Sequence, residues 1–294
     1  MPELPDIAVY TESIERLLDG AVLKNILLPN IFLLRTVDPP VSELTGKRLL
    51  RVERLGKRLV LVFEGDLFAV IHLMIAGRFK WFAAGGRVPR TKLVLAHFEF
   101  DRGTLALTEA GTKRRASLHV LRGRDALKAH NPGGVDPLNC TQDDFAARLT
   151  LENHTLKRAL TDPKLFSGIG NAYSDEILHR AQLSPLALSQ KLLPDELKRL
   201  HAATRDVLDE WLHRLRAEAR DQFPEKVTAF RAEMAVHGKF RQPCPVCGHL
   251  VQRIVYADNE CNYCPTCQTG GKILADRALS RLLKASWPKF VNSD

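Results

Sequence analysis

The run Leu59-Val60-Leu61-Val62-Phe63, then Glu64-Gly65-Asp66, then Leu67-Phe68-Ala69-Val70-Ile71 decides how the first half of the chain is read. Two short apolar, β-branched runs joined across a glycine-containing turn make a β-hairpin, because glycine enters the left-handed region that tight reversals require. The pattern recurs where Leu93 to Phe100 and Thr104 to Leu107 flank Asp101-Arg102-Gly103. Hairpins of this kind from residue 21 to about residue 120 predict an antiparallel sandwich or barrel. Ahead of them, Ile7, Tyr10, Ile14, Leu17 and Leu18 recur at helical spacing, and Gly20 supplies a stop. Behind them, Arg122-Gly123-Arg124 and Asn131-Pro132-Gly133-Gly134 read as a linker. Helical periods then dominate over roughly 142–150, 154–161, 171–181 and 194–217, so the second half is a separate, mainly helical domain.

A chain of 294 residues suits two domains, and 45% hydrophobic residues give it room for real cores. No apolar run approaches the roughly 18 residues that span a bilayer, and the N-terminus lacks a signal-peptide pattern. A soluble cytoplasmic protein is expected, in the bacterial cytoplasm or nucleoid if the source is prokaryotic. Forty-three Lys and Arg against 34 Asp and Glu leave a net charge of +9, which favours a polyanionic partner.

Of six cysteines, Cys140 stands alone and five crowd between 244 and 267, which argues for metal rather than a disulfide framework. Cys244-Pro-Val-Cys247 and Cys264-Pro-Thr-Cys267 are two Cys-x-x-Cys knuckles of the spacing that closes a tetrahedral zinc site around a hairpin. Cys261 makes the register ambiguous, but only Cys264 and Cys267 repeat the Cys-Pro-x-Cys of the first knuckle. Four cysteines leave no open coordination position, so one structural Zn²⁺ is expected.

The opening Met1-Pro2-Glu3-Leu4-Pro5-Asp6 carries a second chemistry. Removal of Met1 leaves Pro2 with a free secondary amine. An α-amine titrates near pH ~8 rather than the ~10.4 of lysine, and attack on an aldehyde-level carbon gives an iminium. Glu3 is placed to move protons at the same centre. The plainer alternative is that Glu3 and Asp6 decorate the start of a helix. Leu165 to Glu176 joins two predicted helices through Ser167-Gly168-Ile169-Gly170-Asn171, where glycines let a backbone approach a phosphate and the next helix N-terminus faces it. An ordinary helix connection accounts for that turn equally well. Lys57 in Arg54-Leu55-Gly56-Lys57-Arg58, and the Lys113-Arg114-Arg115 cluster, read in isolation as solvated surface cations.

Taken in order, these elements resemble the formamidopyrimidine-DNA glycosylase and endonuclease VIII family. Pro2-Glu3-Leu4-Pro5, Gly56-Lys57, His72-Leu73 with Gly77-Arg78, Ser167 to Asn171 with Asp175-Glu176, and the four-cysteine finger span nearly the whole chain. The resemblance implies an α+β multidomain protein. An N-terminal antiparallel β-sandwich with a leading helix (1–122) is followed by a linker (123–140) and a helix-two-turn-helix domain (141–235), then by a zinc-finger hairpin (236–270) and an extension (271–294). It implies a monomer that acts on damaged double-stranded DNA, with no membrane partner. Pro2 would attack C1′ of a flipped nucleotide, Glu3 would assist sugar opening, and Lys57 would serve both the reaction and the phosphate grip. Gly168, Gly170 and Asn171 would meet the backbone. Extrusion is required because C1′ is out of reach while the nucleotide is stacked.

The departures are specific. Ile75 occupies the position of a void-filling Met, with Met74 beside it. Glu109 to Ser117 contains no aromatic wedge, leaving Arg114 or Arg115 to substitute. Asn259 stands where the family has a zinc-hairpin arginine, and Glu218 to Arg241 lacks a recognisable base-capping loop. Beyond Cys267, the residues Ile273, Leu274, Leu279, Leu282 and Leu283 predict an extra helix packed on the domain. The rival readings are a damaged-DNA-binding protein with little turnover and a zinc-ribbon RNA-binding protein. The second leaves Pro2-Glu3 unexplained.

Overall fold

The structure, a computed structural model, describes residues 1–89, 91–111, 113–256, 259–274 and 290–291. Two compact units emerge: Met1–Pro132 with Trp211–Thr228, and Gly133–Glu210 with Ala229–Asp294.

In the first unit, helix α1 (Leu4–Leu18) leads into β1 (Leu23–Leu27), β2 (Leu49–Leu55), β3 (Arg58–Phe63), β4 (Leu67–His72), β5 (Gly77–Ala83), β6 (Val94–Phe100), β7 (Gly103–Glu109) and β8 (Ser117–Arg122). The strands form two four-stranded antiparallel sheets, ordered β1-β6-β7-β5 and β2-β3-β4-β8. The expected sandwich is present, and its core joins Ile7, Tyr10 and Ile14 of α1 to Leu59, Leu61, Phe63, Phe79 and Phe98. Helix α1 is held by the Tyr10 ring, which meets Phe79 edge-on at 5.7 Å while its hydroxyl accepts the Phe79 N–H.

Strand β3 is apolar at every position from Leu59 to Phe63 for a reason the chain supplies further on. Leu59, Leu61 and Phe63 face the core, whereas Val60 and Val62 join Phe68, Val70, Leu121 and Leu127 in a second cluster on the other face. Leu127 belongs to α2 (Arg124–Ala129), a helix inside the stretch expected to be linker. A strand covered on both faces shows a continuous apolar run rather than alternation.

The second unit carries α3 (Gln142–Leu149), α4 (Leu156–Thr161), α5 (Asn171–Arg180) and α6 (Pro194–Ala219), close to the four expected helical stretches. From Trp211 onward, α6 groups with the first unit. Thr141 starts α3 with a capping box, its hydroxyl accepting the Asp144 N–H at 3.1 Å. The finger follows as the antiparallel hairpin β9 (Gln252–Tyr256) and β10 (Asn259–Tyr263), then α7 (Pro265–Thr269). Of the expected terminal helix, Leu279, Leu282 and Leu283 lie outside the described residues; Leu274 packs on Ile254, Cys261 and Tyr263. Among the described residues no helix is long and apolar enough to cross a membrane.

Candidate functional site

The N-terminus of the first unit gathers opposite charges around one amine. Asp6 accepts the Glu3 backbone N–H at 2.9 Å and closes a capping box on α1, so the two acids do start a helix as the plainer reading has it. Both are buried, Glu3 at 2% exposure. The terminal amine, carried here by Met1, is pushed below the usual α-amine range by burial, with Arg78 and Lys57 adding to the effect and Glu3 and Asp6 opposing it. Pro2, the residue exposed as a terminus when Met1 is removed, is buried beside it.

Lys57 reaches the same field from a two-residue hairpin turn. Leu55 pairs with Arg58, so Gly56 and Lys57 alone connect β2 to β3, and Gly56 adopts φ 63°. Burial lowers the Lys57 ammonium below its ordinary value, opposed by Glu3. A half-buried lysine near Glu3 is not the solvated surface cation expected from its sequence in isolation.

Three neighbouring groups carry structure that sequence reading assigned no role. His72 ends β4 as a neutral imidazole, pushed down to about 4 by burial and by Arg58, Lys57 and His119, and its Nδ1 accepts the Met74 N–H at 3.0 Å. The Arg78 guanidinium donates to the carbonyls of Ile75, Gly77 and Val227, which fixes the 73–77 turn. In that turn Met74 has φ 52° and a Cβ on Gly77 would lie 2.2 Å from the Leu73 oxygen, so only glycine fits there. Ile75 at the crest is 61% exposed. Glu109, fully buried, accepts the backbone N–H groups of Arg115 and Ala116 at 3.1 and 3.2 Å and ties down the base of the 109–117 loop. Arg114 and Arg115 are exposed; Arg114 donates to the Lys92 carbonyl, and Ala116 joins the core.

In the second unit the 167–170 turn runs directly into α5, with Gly168 at φ 90° and Gly170 as the N-cap. The Asn171 carbonyl accepts from Lys157 Nζ at 2.6 Å, and the same ammonium reaches Ser174 and the fully buried Asp175. Asp175 also meets His237 Nδ1 at 2.8 Å and Asn262 Nδ2 at 3.4 Å. Its carboxyl stays below the usual range because Lys157 and His237 outweigh its burial. Glu176 accepts three consecutive backbone N–H groups, those of Ala235, Val236 and His237, at 2.7, 2.9 and 2.9 Å.

The four expected zinc ligands converge. The Sγ atoms of Cys244, Cys247, Cys264 and Cys267 lie within 4.8 Å of one another, with Cys244 to Cys267 at 3.9 Å and Cys247 to Cys264 at 3.4 Å. A tetrahedron of Zn–S bonds of ~2.3 Å separates its sulfurs by about 3.8 Å, so the cluster fits zinc. Cys261 is outside the cluster and buried in the β9–β10 hairpin. His179 Nε2 lies 3.3 Å from Cys244 Sγ. Asn259 opens β10, opposite Tyr256, and its side chain lies outside what is described.

Three family models match in succession: the formamidopyrimidine-DNA glycosylase N-terminal domain over residues 1–117, its H2TH domain over 134–220, and the zinc finger found in FPG and IleRS over 241–270. The chain is 31% identical over 285 residues to the formamidopyrimidine-DNA glycosylase of Thermus thermophilus, covering 92% of this chain and 100% of that one. An uncharacterized formamidopyrimidine-DNA glycosylase-like protein of Mycobacterium tuberculosis is 44% identical over 151 residues, 51% of this chain and 94% of its own. Among solved structures, the Thermus thermophilus MutM (FPG) protein superposes with a TM-score of 0.74 at 29% identity, over 91% of this chain and 98% of that one. MutM in complex with DNA containing carbocyclic 8-oxo-G gives 0.81 at 23% identity over 91% and 100%, a likeness of fold. The finger match and the converged cysteines identify one structural Zn²⁺. With the sandwich, the glycine turn into α5 and the finger all in the family's order, the chain belongs to the formamidopyrimidine-DNA glycosylase family.

Proposed function

We propose that the protein is a DNA repair glycosylase with abasic-site lyase activity whose nucleophile is the amine of Pro2. The observation that carries this reading is the placement of Pro2, buried next to a Met1 amine that is itself partly desolvated in the shared field of Glu3, Asp6, Lys57 and Arg78. Burial keeps a larger fraction of such an amine unprotonated at neutral pH. Its lone pair attacks C1′ as the N-glycosidic bond breaks and the damaged base leaves with a proton. Glu3 takes the proton that the amine nitrogen sheds and hands it to the ring oxygen as the sugar opens to the iminium. Loss of a C2′ proton then expels the 3′ phosphate, and water releases the sugar from the amine.

Lys57 and Asn171 grip phosphates in this reading, with the Gly168 and Gly170 backbone close to the strand. Ile75 is the apolar side chain that enters the void left by the extruded nucleotide. The exposed Arg114 or Arg115 supplies a cation there, and Asn259 replaces one on the finger. The working boundaries are 1–122, 141–235, 236–270 and 271–294, on a monomer acting on damaged duplex in the cytoplasm. The zinc holds the finger and takes no part in the reaction. The test is borohydride trapping on an abasic-site duplex: the adduct should form with the mature chain and vanish when a tag or acetyl group blocks the terminus. An adduct indifferent to blocking would refute the Pro2 assignment. Tight abasic-site binding with no adduct would favour a binding protein on the same scaffold.

A further inference from the structure

The zinc cluster is contacted by a histidine outside it, from a helix that belongs to a different part of the chain. His179 lies in the last turn of α5, 6% exposed, with Nε2 at 3.3 Å from Cys244 Sγ. A zinc-bound cysteine is a thiolate and accepts only, so Nε2 must carry the proton and donate. A centre of four thiolates and one Zn²⁺ has a net charge of −2, and donors aimed at sulfur spread that charge and fix each ligand's rotamer. Cys244 is itself buried, where water is a poor substitute donor.

The same helix reaches the finger at two more points. Glu176, three residues earlier, takes the backbone N–H groups of 235–237, and Asp175 takes His237 and Asn262. Residues 175, 176 and 179 therefore form one contact row, and Asn171 starts the helix that carries it. We propose that His179 is a positioning residue of the zinc centre, donating its Nε2–H to the Cys244 thiolate so that metal retention depends on the seating of α5. The proposal does not rest on the reading of Pro2 or on any activity toward DNA.

The experiment compares wild type with His179→Phe, which fills a similar volume without a donor, and His179→Gln, which keeps an N–H. Zinc transfer to a chromogenic chelator should be ~10- to 100-fold faster for the Phe variant, the range found when outer partners of metal ligands are removed. The Gln variant should fall between Phe and wild type. After Co²⁺ substitution, the sulfur-to-metal charge-transfer band should shift in the Phe variant, a signature that mere packing would not move. A measurement on the unmutated protein covers the case in which Phe fails to fold: with ¹¹³Cd in the site, the His179 Nε2 proton should show scalar coupling to the metal through sulfur. Equal release rates and unshifted bands in all three proteins, or no such coupling, would overturn the proposal.

Discussion

Truncating Glu176 to alanine should unlock the turn that leads into the first zinc knuckle. Its carboxylate is 6% exposed and accepts three backbone N–H groups at 2.7, 2.9 and 2.9 Å. A hydrogen bond to a charged partner contributes about 1.5–3 kcal/mol, and a buried donor left without an acceptor costs a similar amount. Each of the three amides should therefore become easier to open by about 1.5–3 kcal/mol, or ~10- to 150-fold in native-state hydrogen exchange. The three effects share one acceptor and will not add fully, so the turn as a whole should lose ~4 kcal/mol rather than their sum. Glu176→Gln refines the test. One oxygen takes the N–H groups of Val236 and His237 and the other takes Ala235. An amide that keeps its oxygen toward the pair turns its NH₂ toward Ala235, so exchange should accelerate chiefly at that residue. Hydrogen exchange read on peptides spanning 230–240 measures this locally, which suits a chain of two units where a single unfolding free energy is ill-defined. Protection at 235–237 unchanged in the alanine variant would show that the carboxylate does not hold the turn.

Lys57→Ala should weaken binding to abasic-site duplex and lower the slope of log affinity against log salt by ~1, the change that loss of the proposed phosphate contact would bring; an unchanged slope would remove Lys57 from the backbone grip. Cys264→Ser should lose zinc and disorder the finger, whereas Cys261→Ser should keep one zinc per chain by metal analysis, and the reverse pattern would place the ligands in the other register. His72 is held at about 4 when folded, against ~6.5 in an unfolded chain. The unfolded state then binds more protons between those values, so stability present above pH ~6.5 is lost as pH falls toward ~4, with a slope of up to ~1.4 kcal/mol per pH unit. His72→Gln should flatten that slope in urea midpoints taken across the window, and a slope equal to wild type would show that His72 is not buried as described.

What the sequence exposed and what it hid follow from how far each signal travels along the chain. The hairpin at Glu64-Gly65-Asp66 and the two Cys-x-x-Cys knuckles are written in adjacent residues, and the structure contains both. The α3, α4 and α6 stretches were visible because each buries a periodic face, whereas α5 is buried all round from Ala172 to His179. Helix α2 was hidden by having six residues and glycines near it, although its effect was already visible as the unbroken apolar run of β3. Glu109, Glu176 and His179 could not be assigned at all. Glu176 binds groups about sixty residues away and His179 a sulfur 65 residues away, and a charged or polar residue on a helix looks the same whether it faces water or a distant turn. For Pro2 and Asn171 the residue types suggested chemistry beside plainer readings, whereas Lys57 in isolation read as a solvated surface cation, and the roles proposed for all three come from the family's ordered set of motifs.

The double coverage of β3 has a further consequence for Lys57. In a strand with one wet face, sliding by a single residue turns apolar side chains into water, and this penalty enforces alignment. Leu59 to Phe63 would pass that check in either phase, because both faces are oily. Alignment must come from the ends, where Gly56 at φ 63° closes one reversal and Gly65 and Asp66, at 81° and 57°, close the other. These left-handed residues act as fixed stops on an otherwise slippery rail. Swapping Gly56 for a β-branched residue would therefore threaten the placement of the lysine beside it more than the stability of the sheet.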